Sequence, residues 1–148
     1  MKNKMQLNFL SRSSNESFAR IAVSGFLAQL DPTVDELSEI KTVISEAVTN
    51  SIVHGYKDYI GSIYITVTVE DDSLVTVTVR DKGCGIEDIN EARRPLYTSC
   101  TTGERAGMGF TIMESFSDSL KVYSTPGKGT RVVIRRKLRS KAKAVRTA

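Results

Sequence analysis

At 148 residues, 40% hydrophobic and 26% charged, the chain is sized for one domain with its own core, and no apolar run approaches the roughly 20 residues of a membrane span. The opening MKNKMQLNFLSRSSN has no apolar centre for a secretory leader, so a cytoplasmic protein without membrane contact is expected. The net charge of +4 comes from the end of the chain: the last 14 residues, RRKLRSKAKAVRTA, hold seven Lys/Arg and no acid, which leaves residues 1–134 at −3. A basic tail from about residue 135 on a slightly acidic body is expected, and without stacking aromatics beside that tail direct nucleic-acid binding is not.

In chain order, MQLNFL (5–10) alternates apolar and polar residues and reads as a first strand. Ser13 and Glu16 then stand at capping-box spacing, ahead of Phe18, Ile21, Ala22, Gly25, Leu27 and Leu30 at roughly helical spacing. Asp31-Pro32 ends that helix. Thr33 with Glu36 makes a second capping box, opening a helix whose apolar stripe is Leu37, Ile40, Ile44, Ala47, Val48 and Ser51 and whose stop is Gly55. Glu46, Asn50 and His54 stand four residues apart beside that stripe, one above another on the helix surface. They are either its wet side or a set aimed at something that needs a carboxylate and an amide.

Two alternating runs, SIYITVTV (62–69) and SLVTVTVR (73–80), form an antiparallel hairpin with β-branched residues on both faces. RDKGCGIED breaks it, and DINEARR suggests a short helix. PLYTSCTTGERAGMG (95–109) is longer than connections usually run, which marks it as a functional lid. MGFTIMESFSD is a helix opening on glycines, and LKVYST, the turn PGKG and TRVVIRRKL close the chain as a hairpin. The expected class is α+β: one domain over residues 1–148, a two-layer sandwich with helices on one face of a mostly antiparallel, mixed sheet.

Three glycine-bearing stretches carry the chemistry: DKGCG (81–85), GERAGMG (103–109) and GKGT (127–130). Each alone is an ordinary turn. Gly107 and Gly109, however, immediately precede a helix, where free N–H groups favour an anion and glycine permits its close approach. The familiar phosphate loops do not fit. Lys128 is followed by Gly129, against the Gly-Lys-Ser/Thr of a Walker loop. The third glycine of a protein-kinase loop is replaced by Ile112, and no glycine-rich turn follows the first strand as a dinucleotide fold requires. The only histidine is His54 and the cysteines are Cys84 and Cys100, so no metal-ligand cluster is expected.

The ordered set EAVTN (Glu46, Asn50), DKGCG (Asp81, Gly83, Gly85), GMG (Gly107, Gly109) and GT (Gly129, Thr130) resembles the four ATP-site boxes of the GHKL superfamily of gyrase, heat-shock chaperone, histidine-kinase and mismatch-repair ATPases. The length, with SEAVTNSIVHGY and GERAGMGF, is similar to the anti-sigma serine kinases of endospore-forming bacteria. The resemblance implies the Bergerat ATP-binding fold, ATP or ADP with Mg²⁺, a sporulation sigma factor as bound partner, an anti-anti-sigma protein as phosphorylated substrate, and a homodimer, through the exposed edge of the first strand. It implies Glu46 as catalytic base and Asn50 as nucleotide contact and oxygen ligand to Mg²⁺. Asp81 would accept the adenine amino hydrogen, with Gly83 and Gly85 beside the purine, Gly107 and Gly109 at the phosphates and Thr130 in the adenine network. Arg105, in the lid, is a candidate contact for phosphate or partner, and Lys82 is the other cation of interest. Arg20 on the first helix is an exposed candidate for partner contact. His54 is left as a packing or capping residue, and Cys84 and Cys100 as incidental. A nucleotide-gated sigma-binding module without significant phosphotransfer is the alternative. A histidine-kinase fragment is disfavoured because no phospho-accepting helix precedes the first strand.

Overall fold

The computed structural model describes residues 2–94 and 109–139. Five strands, β1 (Asn3–Leu10), β2 (Ser62–Val69), β3 (Leu74–Asp81), β4 (Ser119–Thr125) and β5 (Gly129–Lys137), form one sheet in the order β1-β2-β3-β5-β4. All four ladders are antiparallel, so the parallel component of the expected mixed sheet is absent among the described strands. β3 reaches β5 by way of the β4–β5 hairpin, which returns β5 against it in the opposite sense.

Period-two alternation gives the sheet one wet face and one face buried under helices. Ile63, Ile65, Val67 and Val69 of β2 and Val75, Val77 and Val79 of β3 are all buried on the helical side. Each such side chain contributes about 1.5–3 kcal/mol through its removal from water. The helices are α1 (Ser14–Leu27), α2 (Val34–Asn50), the short α3 (Ile89–Ala92) and α4 (Gly109–Ser115). Among the described residues no helix is long and apolar enough to cross a membrane, and no buried side-chain polar atom lacks a partner.

α2 lies at the centre, packed against both α1 and α4. Its capping box forms as the spacing predicts: Glu36 N–H donates to Thr33 Oγ1 at 3.1 Å, and Thr33 N–H donates to Glu36 Oε1 at 2.9 Å. The box expected at Ser13 does not form. Ser13 already has helical dihedrals, which aim its hydroxyl away from the orphan N–H groups. Glu16 instead pairs with Arg20 at 3.2 Å and accepts from Thr49 Oγ1 at 2.9 Å.

The buried face of α1 is Ala19, Val23 and Leu27, not the whole predicted stripe; Phe18 and Ile21 are 51% and 66% exposed. Small side chains let α1 approach α2 closely and turn the larger ones outward, with Phe18 edge-on to Phe9. The basic run at the end begins inside the sheet. Arg135, Arg136 and Lys137 belong to β5, Arg136 pairs with Glu39 at 2.7 Å, and Leu138 is buried.

Candidate functional site

α2 does not stop at Asn50. It runs on as a π turn over Ser51–Gly55, closed by Tyr56 N–H donating to Ser51 O at 2.8 Å. Such wide turns concentrate at functional sites because they re-aim the side chains they carry. Here Ser51, His54 and Gly55 face a cavity of about 470 Å³, roofed by the start of α4 and floored by the turns after β3 and between β4 and β5. Asn50, Asp81, Gly85, Gly109 and Thr130 line this one cavity, residues drawn from all four sequence boxes.

Asp81 ends β3 on the buried side and is 6% exposed. Its Oδ1 accepts the Gly83 N–H at 3.0 Å and its Oδ2 the Ser51 hydroxyl at 2.8 Å, with a further backbone donor at Thr130. Burial nevertheless wins, and the carboxyl is pushed above its ordinary range because desolvation outweighs those donors. Carboxylate oxygens accept more than one hydrogen bond, so Asp81 keeps capacity for a donor arriving in the cavity.

The glycines of DKGCG are required by close approach. A Cβ on Gly83 would overlap the Gly55 carbonyl, against which the chain is also held by Cys84 N–H at 2.9 Å. Gly85 has φ +77 and abuts the Thr125 carbonyl, a position closed to other residues on both counts. The loop is thereby strapped to the β4–β5 turn, where Gly127 N–H donates to Cys84 O at 2.7 Å.

At the other end of the cavity, Asn50 and Glu46 converge on Gly109. A Cβ there would lie 3.2 Å from the Asn50 amide atoms and 3.3 Å from Glu46 Oε2. Asn50 lines the cavity; Glu46, 7% exposed, borders the α4 start behind it. Among the described residues no cluster of three or more His, Cys, Asp or Glu could hold a metal. The amide oxygen of Asn50 suits a hard cation that takes most of its ligands from phosphates and water, and so fits Mg²⁺.

His54, which its place near the apolar stripe assigns to structure, lines the cavity with Lys57, because the π turn rotates it inward. Its imidazole is held below the usual histidine value, first by burial and then by the Lys57 charge. Arg20 is not an exposed helix residue. It is half-buried, and its guanidinium joins Glu16 at 3.2 Å to Ser45 at 2.8 Å, tying α1 to the helix that carries Glu46. Lys82 points to the opposite sheet face, with Nζ 5.2 Å from the Tyr64 ring. Cys84 donates to the His54 carbonyl at 3.0 Å. Arg105, Gly107 and Cys100 lie outside the described residues.

Two site residues are not among those the sequence singles out. Ser51 passes for a stripe member; a hydroxyl on an apolar stripe is a signal that it has a buried partner. Ser124 accepts the Ile86 N–H at 2.7 Å, donates to Gly129 O at 2.9 Å and lies 2.9 Å from Thr130 Oγ1. It joins the glycine loop to Thr130, and nothing in the spacing of β4 marks it.

Residues 11–136 match the family of histidine kinase-like ATPase domains. The chain is 58% identical over 146 residues to the anti-sigma F factor of Oceanobacillus iheyensis, covering 98% of this chain and 99% of the relative. It is 56% identical to that of Bacillus subtilis over the same shares of each chain. Among solved structures, the RsbU and RsbW domains of Rv1364c from Mycobacterium tuberculosis superpose with a TM-score of 0.68 at 18% identity, covering 93% of this chain and 33% of that one. At that identity the likeness is one of fold.

Proposed function

The chain belongs to the anti-sigma F factors, on a histidine kinase-like ATPase domain, and from that membership we propose that it is an ATP-dependent protein serine kinase that sequesters a sporulation sigma factor and phosphorylates its anti-anti-sigma antagonist. The observation that carries the nucleotide half is the single cavity with a buried acceptor, Asp81, at one end and Asn50 at the other. Asp81 accepts the adenine amino hydrogen; guanine presents a carbonyl at that position and is refused. Gly83 and Gly85 let the backbone run beside the purine, and Thr130 with Ser124 completes the hydroxyl network at its edge.

At the phosphate end Asn50 supplies an oxygen to Mg²⁺ and contacts the nucleotide; His54 and Lys57 line the same cavity. Held there by Asn50, Mg²⁺ would supply neutralisation of the charge that builds up during phosphoryl transfer. Glu46 takes the proton from the attacking serine hydroxyl as its oxygen bonds to the γ-phosphorus and the bridging oxygen leaves with ADP. Gly107 and Gly109 belong to the phosphate side, and Arg105 to phosphate or partner contact. Arg20 reaches a partner from a guanidinium already bonded to Glu16 and Ser45. The reading includes a homodimer. β1 is an edge strand, and the nearby Leu10, Phe18 and Ile21 are exposed apolar groups that a second copy would cover.

The decisive experiment is incubation with γ-labelled ATP, Mg²⁺ and the anti-anti-sigma protein, with phosphoserine on the partner as the expected product. One observation favours the alternative of a nucleotide-gated binding module: Glu46 borders Gly109 and does not line the cavity wall. Sigma binding that responds to ATP, with no label on the antagonist, would establish that alternative instead.

A further inference from the structure

The sheet face turned away from the helices carries charge of one sign. Cross-strand register places Asn8, Tyr64, Arg80, Arg131 and Tyr123 in a single row across all five strands. The adjoining positions on this face add Lys4, Lys121 and Arg135. The strands bear one carboxylate, Asp81, and it lies on the other face, in the nucleotide cavity. The acids nearest in the chain lie at the rim: Glu70, Asp71 and Asp72 in the β2–β3 turn, where Asp72 lies 3.9 Å from Lys137, and Asp118 just before β4, whose Oδ2 accepts the Lys137 N–H at 2.7 Å. A face kept only for solubility mixes both signs; this one does not.

The two tyrosines are ordered by those cations. The Arg80 guanidinium lies over the Tyr64 ring at 4.6 Å, and that of Arg131 over Tyr123 at 4.5 Å. Strands about 4.8 Å apart set the tyrosines about 14 Å from each other, a reach of a few nucleotides. The centre of the face is Gln6, Thr66, Thr78 and Val133, and its large aliphatic groups, Leu10 and Leu74, stand at strand ends, so the centre offers no large aliphatic anchor for a protein partner. Planar guanidiniums beside the half-buried Tyr64 ring and the exposed Tyr123 ring instead suit phosphates and bases. The basic tail lacks aromatics, but the sheet brings residues 64, 80, 123 and 131 together from two separate hairpins.

We infer that this open face binds single-stranded nucleic acid, with Arg80, Arg131, Lys121 and Arg135 on the phosphates and bases stacked at Tyr64 and Tyr123. The test is fluorescence anisotropy of the full chain with a labelled single strand of about 12 nucleotides, DNA and RNA, across about 50–200 mM salt. Binding is expected to weaken as salt rises. Arg80→Glu combined with Arg131→Glu should cut affinity at least about tenfold and flatten the log–log salt slope by about 0.7 for each phosphate no longer neutralised. Tyr64→Ala should weaken binding about tenfold with the slope unchanged. ATP affinity, measured on the same samples, should stay at the parent value and certifies the fold. Absence of binding at the lowest salt overturns the inference. It is equally overturned if neutralising Arg139, Lys141 and Lys143 abolishes binding while the sheet variants bind as the parent does. A poly-glutamate peptide that competes as well as the oligonucleotide, with Tyr64→Ala silent, would make the face a site for acidic protein and overturn it too.

Discussion

Replacing Asp81 by Asn separates what the carboxylate does for the fold from what it does for the ligand. In the free protein the amide oxygen can take the place of Oδ1 before the Gly83 N–H at 3.0 Å, and the amide nitrogen can donate to Ser51 Oγ, now acting as acceptor, at 2.8 Å. The charge removed is one that burial already disfavours, since the Asp81 carboxyl sits above its ordinary value of 3.8 through desolvation. A raised acid value means that native stability falls as pH climbs from 3.8 through the native value, so at neutral pH the ionised carboxylate is a cost. Asp81→Asn should therefore leave the midpoint of thermal unfolding unchanged or higher. With ATP the result reverses. An NH₂ group now meets the adenine amine, donor against donor, and a hydrogen bond to a charged acceptor disappears, worth about 1.5–3 kcal/mol. That converts to roughly a tenfold to hundredfold weaker affinity, measurable by titration calorimetry. ATP affinity equal to the parent, in a protein of equal stability, would refute the assignment of Asp81 to adenine.

The other consequences are independent of one another. Gly83→Ala sets a methyl group against the Gly55 backbone carbonyl, which has no rotamer to yield, and should cost about 1–3 kcal/mol in denaturant unfolding as well as nucleotide binding. Ser124→Ala strips the Ile86 N–H of its acceptor and should weaken ATP binding with about 1–3 kcal/mol removed from the stability of the folded state, while Cys84→Ser, beside the same loop, should do little. His54 is half-buried with its value held below 6.5, so as pH falls below 6.5 the unfolded chain takes up a proton that the native imidazole resists. Stability should thus be full above 6.5 and decline as pH drops toward the native value, and His54→Gln should flatten that part of the profile.

Much of the fold is legible in the residues because period-two alternation in 62–69 and 73–80 and the Thr33–Glu36 box are local signals that the tertiary structure does not contradict, the second strand lying one residue later at Leu74–Asp81. The α1 face is hidden for the opposite reason. Size and hydrophobicity point to Phe18 and Ile21, but close packing against α2 selects Ala19 and Val23, and that choice is made by the partner helix. In the site, Asp81, Gly83 and Gly85 alone read as an ordinary turn, and they stand out only as part of the ordered set with Glu46, Asn50, Gly109 and Thr130. A regular helical wheel sets His54 toward the core, and one extra residue in the π turn rotates it onto the cavity wall. Ser124 is fixed by bonds to residues on a neighbouring loop and strand, which no window of β4 contains.

Phosphotransfer stands or falls with Glu46, and Glu46→Gln isolates it. The substitution keeps the shape of a side chain that is 7% exposed and borders Gly109, and removes its charge and with it its ability to take a proton. ATP affinity should remain at the parent value, while transfer of label from γ-labelled ATP to the anti-anti-sigma protein should fall by about 10²–10⁴-fold. Transfer at the parent rate by a variant that binds ATP normally would contradict the assignment of Glu46 as the base.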